Sequence, residues 1–151
     1  MRLSVAVYLL LVFTTMSYSY RGCDGYEESM RVQNLPVEID NFVYAHFPDR
    51  AVKSVKHTYD DDARKERYKV KLYGGVELKF NGYLEIIEIE SKRGLPDSVI
   101  PGRIRDYVYY HFPNNMIVEW ELESDGRQEV KLNNGVEIKF DRFGNFLKLD
   151  T

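Results

Sequence analysis

Two stretches of twelve residues, KVKLYGGVELKF at 69–80 and EVKLNNGVEIKF at 129–140, align without a gap and agree at eight positions. Val70, Lys71, Leu72, Gly75, Val76, Glu77, Lys79 and Phe80 recur as Val130, Lys131, Leu132, Gly135, Val136, Glu137, Lys139 and Phe140. Each copy alternates apolar and charged residues around Gly74-Gly75 or Asn134-Gly135, pairs that tolerate positive φ at both centres of a two-residue turn. The internal repeat therefore predicts two half-buried antiparallel hairpins.

The same amphipathic segment stands before each hairpin. LPVEIDNFVYAHFP places Leu35, Ile39, Phe42, Val43 and Phe47 at helical spacing, with Pro36 suited to a first turn and Pro48 as the stop. IPGRIRDYVYYHFP repeats it from Ile100, with Ile104, Tyr107, Val108 and Phe112 at an offset of 65. After the second HFP comes a run of period two: Met116, Val118, Trp120 and Leu122 point one way and Ile117, Glu119, Glu121 and Glu123 the other. The first copy, 51–59, is less regular and continues into DDDARKER at 60–67, about five residues longer than its counterpart, so the offset falls to 60. Each repeat closes on one more strand, 84–89 and 146–149.

A unit of about 55 residues buries too little surface to stand alone. The expected fold is α+β: two tandem helix-plus-four-strand repeats forming one antiparallel eight-stranded sheet, with both helices packed on one face. The other face would carry Lys69, Lys71, Glu77 and Lys79 from the first copy and Glu119, Glu121, Glu129, Lys131, Glu137 and Lys139 from the second. Twelve Tyr and eight Phe suit such a sheet. The expected boundaries are a signal peptide at 1–19, a flexible N-terminal segment at 20–34, repeat 1 at 35–90, a linker at 91–99 and repeat 2 at 100–151.

The signal peptide rests on Arg2, the eleven-residue apolar run Leu3 to Phe13, and Ser17-Tyr18-Ser19 as a small-x-small cleavage site. That run is too short to span a bilayer, so no transmembrane segment is expected in the mature chain. A buried N-terminal strand or helix is the alternative. Cys23 is the single cysteine, which excludes an intramolecular disulfide and a cysteine metal cluster. Its place after the apolar run raises lipidation, against which Tyr20-Arg21-Gly22 weighs, lacking the small or aliphatic residues of a lipoprotein signal. Net charge is −3 with Lys and Glu interleaved, so no nucleic-acid partner is expected.

Candidate chemistry is sparse. His46 and His111 occupy matched positions, open to a metal or acid-base role, but a histidine in the last turn of a helix before a proline also satisfies free carbonyls and suits the helix dipole. His57 has no ligand partner at metal spacing. Asp60-Asp61-Asp62 could begin a calcium loop, yet Arg64 and Lys65 stand where further ligands would be needed. A nucleophile elbow and a phosphate-cradling glycine loop are both missing, so no catalytic residue, cofactor or metal site is assigned and no enzyme activity is expected. The remaining candidates are aromatics placed off the core: Tyr44, Tyr109 and Tyr110 on the helices, and Tyr73, Tyr83 and Phe143 at turns, where each could cap the core or contact a partner.

The pattern LPxxIxxFVxxHFP, a strand, then YKVKLxxGVELKF, duplicated behind a signal peptide, resembles the PepSY-like, beta-lactamase-inhibitor-protein-like family of secreted proteins of Bacteroides-type bacteria. The likeness spans Leu35 to Asp150. It implies a periplasmic or secreted protein without family catalytic residues, and by its name a sheet that grips a hydrolase. That inhibitor type carries an aromatic-rich face, whereas the outward positions here are mostly Lys and Glu. The expected function is a non-enzymatic binding module for a protein or peptide of the cell envelope. An inhibitor or regulator of an exported hydrolase is the second possibility, and a small-ligand or metal sensor the third.

Overall fold

The computed structural model describes the backbone of Glu27–Met30 and residues 35 to 150 in full. The expected signal peptide at 1–19, the rest of 20–34 with Cys23, and Thr151 lie outside the described residues. The chain runs β1 (Glu27–Met30), α1 (Val37–His46), β2 (Val52–Thr58), β3 (Glu66–Leu72), β4 (Val76–Asn81), β5 (Ile86–Ser91), a 3-10 turn (Asp97–Val99), α2 (Gly102–His111), β6 (Ile117–Leu122), β7 (Gln128–Leu132), β8 (Glu137–Phe140) and β9 (Phe146–Asp150). Every strand pairs antiparallel with the next, so the described strands make one nine-stranded meander.

The eight expected strands are β2 to β9. The ninth, β1, lies within the stretch 20–34 expected as an N-terminal segment, most of which is outside the described residues: its backbone pairs Glu27 with Thr58 and Met30 with Val55. The sequence EESM has no apolar alternation to betray a strand. Ladder hydrogen bonds to an open edge need none.

Three local expectations are corrected. β5 begins at Ile86 instead of residue 84, because Leu84 lies in the preceding turn with φ of +64°. In β6 the register slips between Ile117 and Glu119, a bulge that buries Ile117 and leaves Met116 50% exposed, the reverse of strict alternation. The same slip occurs in β2 between Val52 and Ser54. Finally, Gly74 and Gly75 both have positive φ, but in the second hairpin only Gly135 does. There Gly135 N–H donates to the Leu132 carbonyl at 2.9 Å and Leu132 N–H to Val136 at 2.8 Å, a wider loop with one left-handed residue.

Paired residues share a face of a sheet, so the registers trace an apolar row across eight strands: Val55, Val70, Leu78, Ile89, Trp120, Val130, Ile138 and Leu149. All but Leu149 are buried, and they share one core cluster with Ile39, Val43 and Phe47 of the α1 segment and Ile104 and Val108 of α2. Burying each such side chain stabilises the fold by roughly 1.5–3 kcal/mol. Phe42 meets Phe80 edge-on at 5.5 Å, and Tyr107 meets Phe140 the same way at 5.4 Å. The two helices thus repeat each other's contact as well as each other's sequence.

Candidate functional site

Between the residues of the apolar row, the alternate positions are charged. One row runs Lys69, Lys79, Glu88, Glu121, Glu129, Lys139, Lys148, and the next Lys71, Glu77, Glu90, Glu119, Lys131, Glu137, Asp150. Within the first repeat opposite charges meet: Lys69 and Lys71 hold Glu77 at 3.1 and 3.0 Å, and Lys79 holds Glu88 at 2.6 Å. Hydrogen bonds from Lys71 and Lys69 overcome the effect of burial and keep Glu77 below the usual carboxylate range. The second repeat does the same, with Lys139 on Glu129 at 2.6 Å and Lys131 on Glu137 at 2.7 Å.

The seam between the repeats differs. On β5 and β6, Glu88 stands opposite Glu121 and Glu90 opposite Glu119. Among the described residues no ion pair crosses from β5 to β6, and none engages Glu90, Glu119 or Glu121. Partial burial, and next the charge of Glu88, push the carboxyls of both Glu119 and Glu121 upward. Like charges directly opposite on a sheet are destabilising. The seam therefore holds four opposed glutamates, of which Glu88 alone has an ion pair, to Lys79; beside them stand Lys79 and Glu77 on β4 and Lys131 and Glu129 on β7. Glu119 and Glu121 follow from the alternation of β6; Glu88 falls inside the expected strand 84–89 and Glu90 just beyond it, and neither is marked there by a partner in its own repeat.

The six candidate aromatics are all exposed. They are not brought together. Tyr83 and Phe143 are counterparts at the β4–β5 and β8–β9 turns, Tyr73 lies at the opposite end of the strands beside Gly74, and Tyr44, Tyr109 and Tyr110 sit on the helices. Tyr109 Oη donates to Asp97 Oδ1, which holds its phenol above the usual range. That pair lines a cleft of about 380 Å³ between the α1 end and the linker, together with His46, Arg50, Arg93 and Arg105.

The histidines take structural contacts. His46 Nδ1 lies 3.0 Å from Ser98 Oγ and its ring 4.6 Å from Phe42, while His111 packs 4.2 Å from Tyr107. His57 is buried and stacks on Tyr68 at 4.4 Å. In the loop at 60–65 the acids engage their own neighbours: Asp62 pairs with Arg64 at 3.1 Å and Asp60 with Lys65 at 3.2 Å. Among the described residues, no three His, Cys, Asp or Glu side chains are grouped as a metal ion would need. No described helix is long and apolar enough to cross a membrane.

Sheet, helices and charged rows together define an α+β meander protein with a polar strand surface. The family model described as putative beta-lactamase-inhibitor-like, PepSY-like matches the chain twice, over residues 24–88 and 66–148, and the chain belongs to that family. Among solved structures it is similar to a putative periplasmic protein of unknown function from Bacteroides vulgatus, at 32% identity and TM-score 0.73 over 83% of this chain and 100% of that one. It is also similar to a putative calcium-regulated periplasmic protein from Bacteroides thetaiotaomicron, at 28% identity and TM-score 0.74 over 83% of this chain and 97% of that one. A second Bacteroides vulgatus protein, also described as putative periplasmic, has 31% identity and TM-score 0.73 over 83% of this chain and 97% of that one. Among curated sequences nothing matches the chain.

Proposed function

We propose that the protein is a periplasmic, non-enzymatic binding module whose charged strand surface receives a protein or peptide segment rich in lysine or arginine. The observation that carries this is the acidic strip at the seam: four glutamates opposed in pairs, three of them without an ion pair among the described residues. A cationic segment lying across β5 and β6 relieves that repulsion, and Lys79 on β4 and Lys131 on β7 limit its register by repelling it diagonally across the seam. Both helices are taken to lie on the side of the apolar row, which leaves the charged rows accessible; the Phe42–Phe80 and Tyr107–Phe140 contacts support this. Tyr73, Tyr83 and Phe143 at the strand ends add contact area, with Tyr44, Tyr109 and Tyr110 as a separate surface on the helices. The periplasmic place follows the three solved relatives.

The family's name favours a second reading, in which the partner is an exported hydrolase and the module inhibits it. A photo-crosslinking residue at position 121, compared with one at position 44, tests both in living cells. The proposal expects an adduct from position 121 whose crosslinked peptide carries several Lys or Arg, and which is lost when Glu88 and Glu119 are changed to Lys. Adducts from position 44 alone, or charge-independent adducts, reject it. A hydrolase partner whose activity falls on binding favours inhibition. Calorimetry with Ca²⁺ addresses regulation of the kind named for the Bacteroides thetaiotaomicron relative, and absence of heat at millimolar Ca²⁺ rejects a metal sensor.

A further inference from the structure

We propose that β9 is a docking edge for a second copy of this chain, joined antiparallel through Lys148, Leu149 and Asp150. At the offset of 60, β9 is the counterpart of β5, and these three residues correspond to Glu88, Ile89 and Glu90. Those are the β5 positions that pair with β6. On β9 they pair with β8 on one side, and no described strand takes the other. Burial shows the difference. Ile89 is 0% exposed, whereas Leu149 is 44% exposed, with Phe146 and Leu147 beside it at 41% and 48%. An open strand edge carrying three large apolar side chains is a template for another strand.

Charge decides which strand fits. Two β9 strands paired antiparallel about Leu149 set the leucines against each other and place Lys148 opposite Asp150 of the partner subunit, twice by symmetry. A pairing centred on Lys148 would oppose two lysines instead. The β5–β6 seam tolerates like charges because the intervening chain tethers the two strands at high effective concentration. Separate copies have no tether, so they need complementary charge, and β9 is complementary to itself. A head-to-tail imitation of the β5–β6 seam would need the edge of β2, which β1 already occupies. The bulge between Lys139 and Phe140 is no obstacle, since its counterpart between Lys79 and Phe80 lies beside the very positions that accept β6. This dimer leaves the charged rows accessible and does not depend on the binding role proposed above.

Sedimentation of the protein purified from the periplasm, over a wide concentration range, tests the interface. A reversible monomer–dimer equilibrium is expected. Lys148→Glu and Asp150→Lys should each weaken it roughly tenfold or more, because each turns two attractive contacts into two repulsive ones. An equimolar mixture of the two variants should recover the parent affinity, since the mixed pair again opposes unlike charges, and a misfolded variant could not be rescued in this way. A single species of monomer mass at every concentration overturns the proposal. So does a dimer indifferent to both reversals, or a mixture that fails to recover.

Discussion

Ile89 stands directly opposite Trp120, and this contact joins the last strand of the first repeat to the first strand of the second. Both side chains are buried, and the Trp120 indole N–H donates to Gln128 Oε1 at 3.1 Å. On either side of this apolar pair the alternation of the strands places a pair of glutamates. One seam thus supplies both the continuity of the core and a strip of opposed glutamates of which only Glu88 has an ion pair.

Trp120→Ala should destabilise the protein by about 3–5 kcal/mol, since it opens a cavity in the middle of the sheet and orphans Gln128. Urea denaturation followed by far-UV circular dichroism measures this. In the parent, Trp120 is the sole tryptophan, so its fluorescence should report the same single transition as the helical signal.

Glu121→Gln should act in the opposite direction at neutral pH. Burial and Glu88 raise the Glu121 carboxyl above its ordinary value of 4.5. A carboxyl raised on folding contributes stability only while protonated: the contribution is present below 4.5 and is lost as pH rises through the raised value. The neutral amide keeps that contribution at all pH. The variant should therefore be more stable than the parent at neutral pH by about 0.5 kcal/mol, a modest like-charge term, and the difference should vanish below 4.5. Thermal melts of both proteins across that range check it.

The same carboxyls set the pH response of binding. Affinity for a lysine-rich probe peptide should fall as pH drops through the raised values of Glu119 and Glu121, earlier than an ordinary glutamate would allow. Fluorescence anisotropy with a labelled oligolysine reads the midpoint, and an affinity unchanged down to 4.5 counts against the strip as the contact.

Gly82 makes a close approach that its counterpart does not. A Cβ there would meet the Ala63 backbone at 2.9 Å, and Gly82 N–H donates to the Ala63 carbonyl at 2.6 Å. The long loop at 60–65 folds over this turn, whereas in the second repeat the loop is short and Arg142 stands at the equivalent position. Gly82→Ala should cost about 1–3 kcal/mol by overpacking against backbone. Arg142→Ala should be near neutral, and chemical denaturation of the two variants gives the contrast.

Much of this architecture is legible in the sequence because it is written twice. The helices around Ile39 and Ile104 and the hairpins around Val70 and Val130 each follow one unbroken period. The failures fall where the period breaks. A bulge between Ile117 and Glu119 exchanged the sides of Met116 and Ile117, and Leu84 lies in a left-handed turn that alternation cannot register. β1 escaped notice because EESM carries no apolar alternation to mark a strand. The acidic strip was half visible: charge on β6 follows from its alternation, but its opposition to Glu88 and Glu90 is a fact of register between repeats, which no single strand encodes.

Native-state amide hydrogen exchange at Glu88–Glu90 and Glu119–Glu121 tests most directly whether the repeats are one body. The account predicts that the slowest amides of both strands open only with global unfolding, at the free energy found by denaturation, and that Trp120→Ala lowers protection in both repeats together. Seam amides that exchange while the β3–β4 and β7–β8 hairpins stay protected would contradict it, since the halves would then be separate folding units that merely touch.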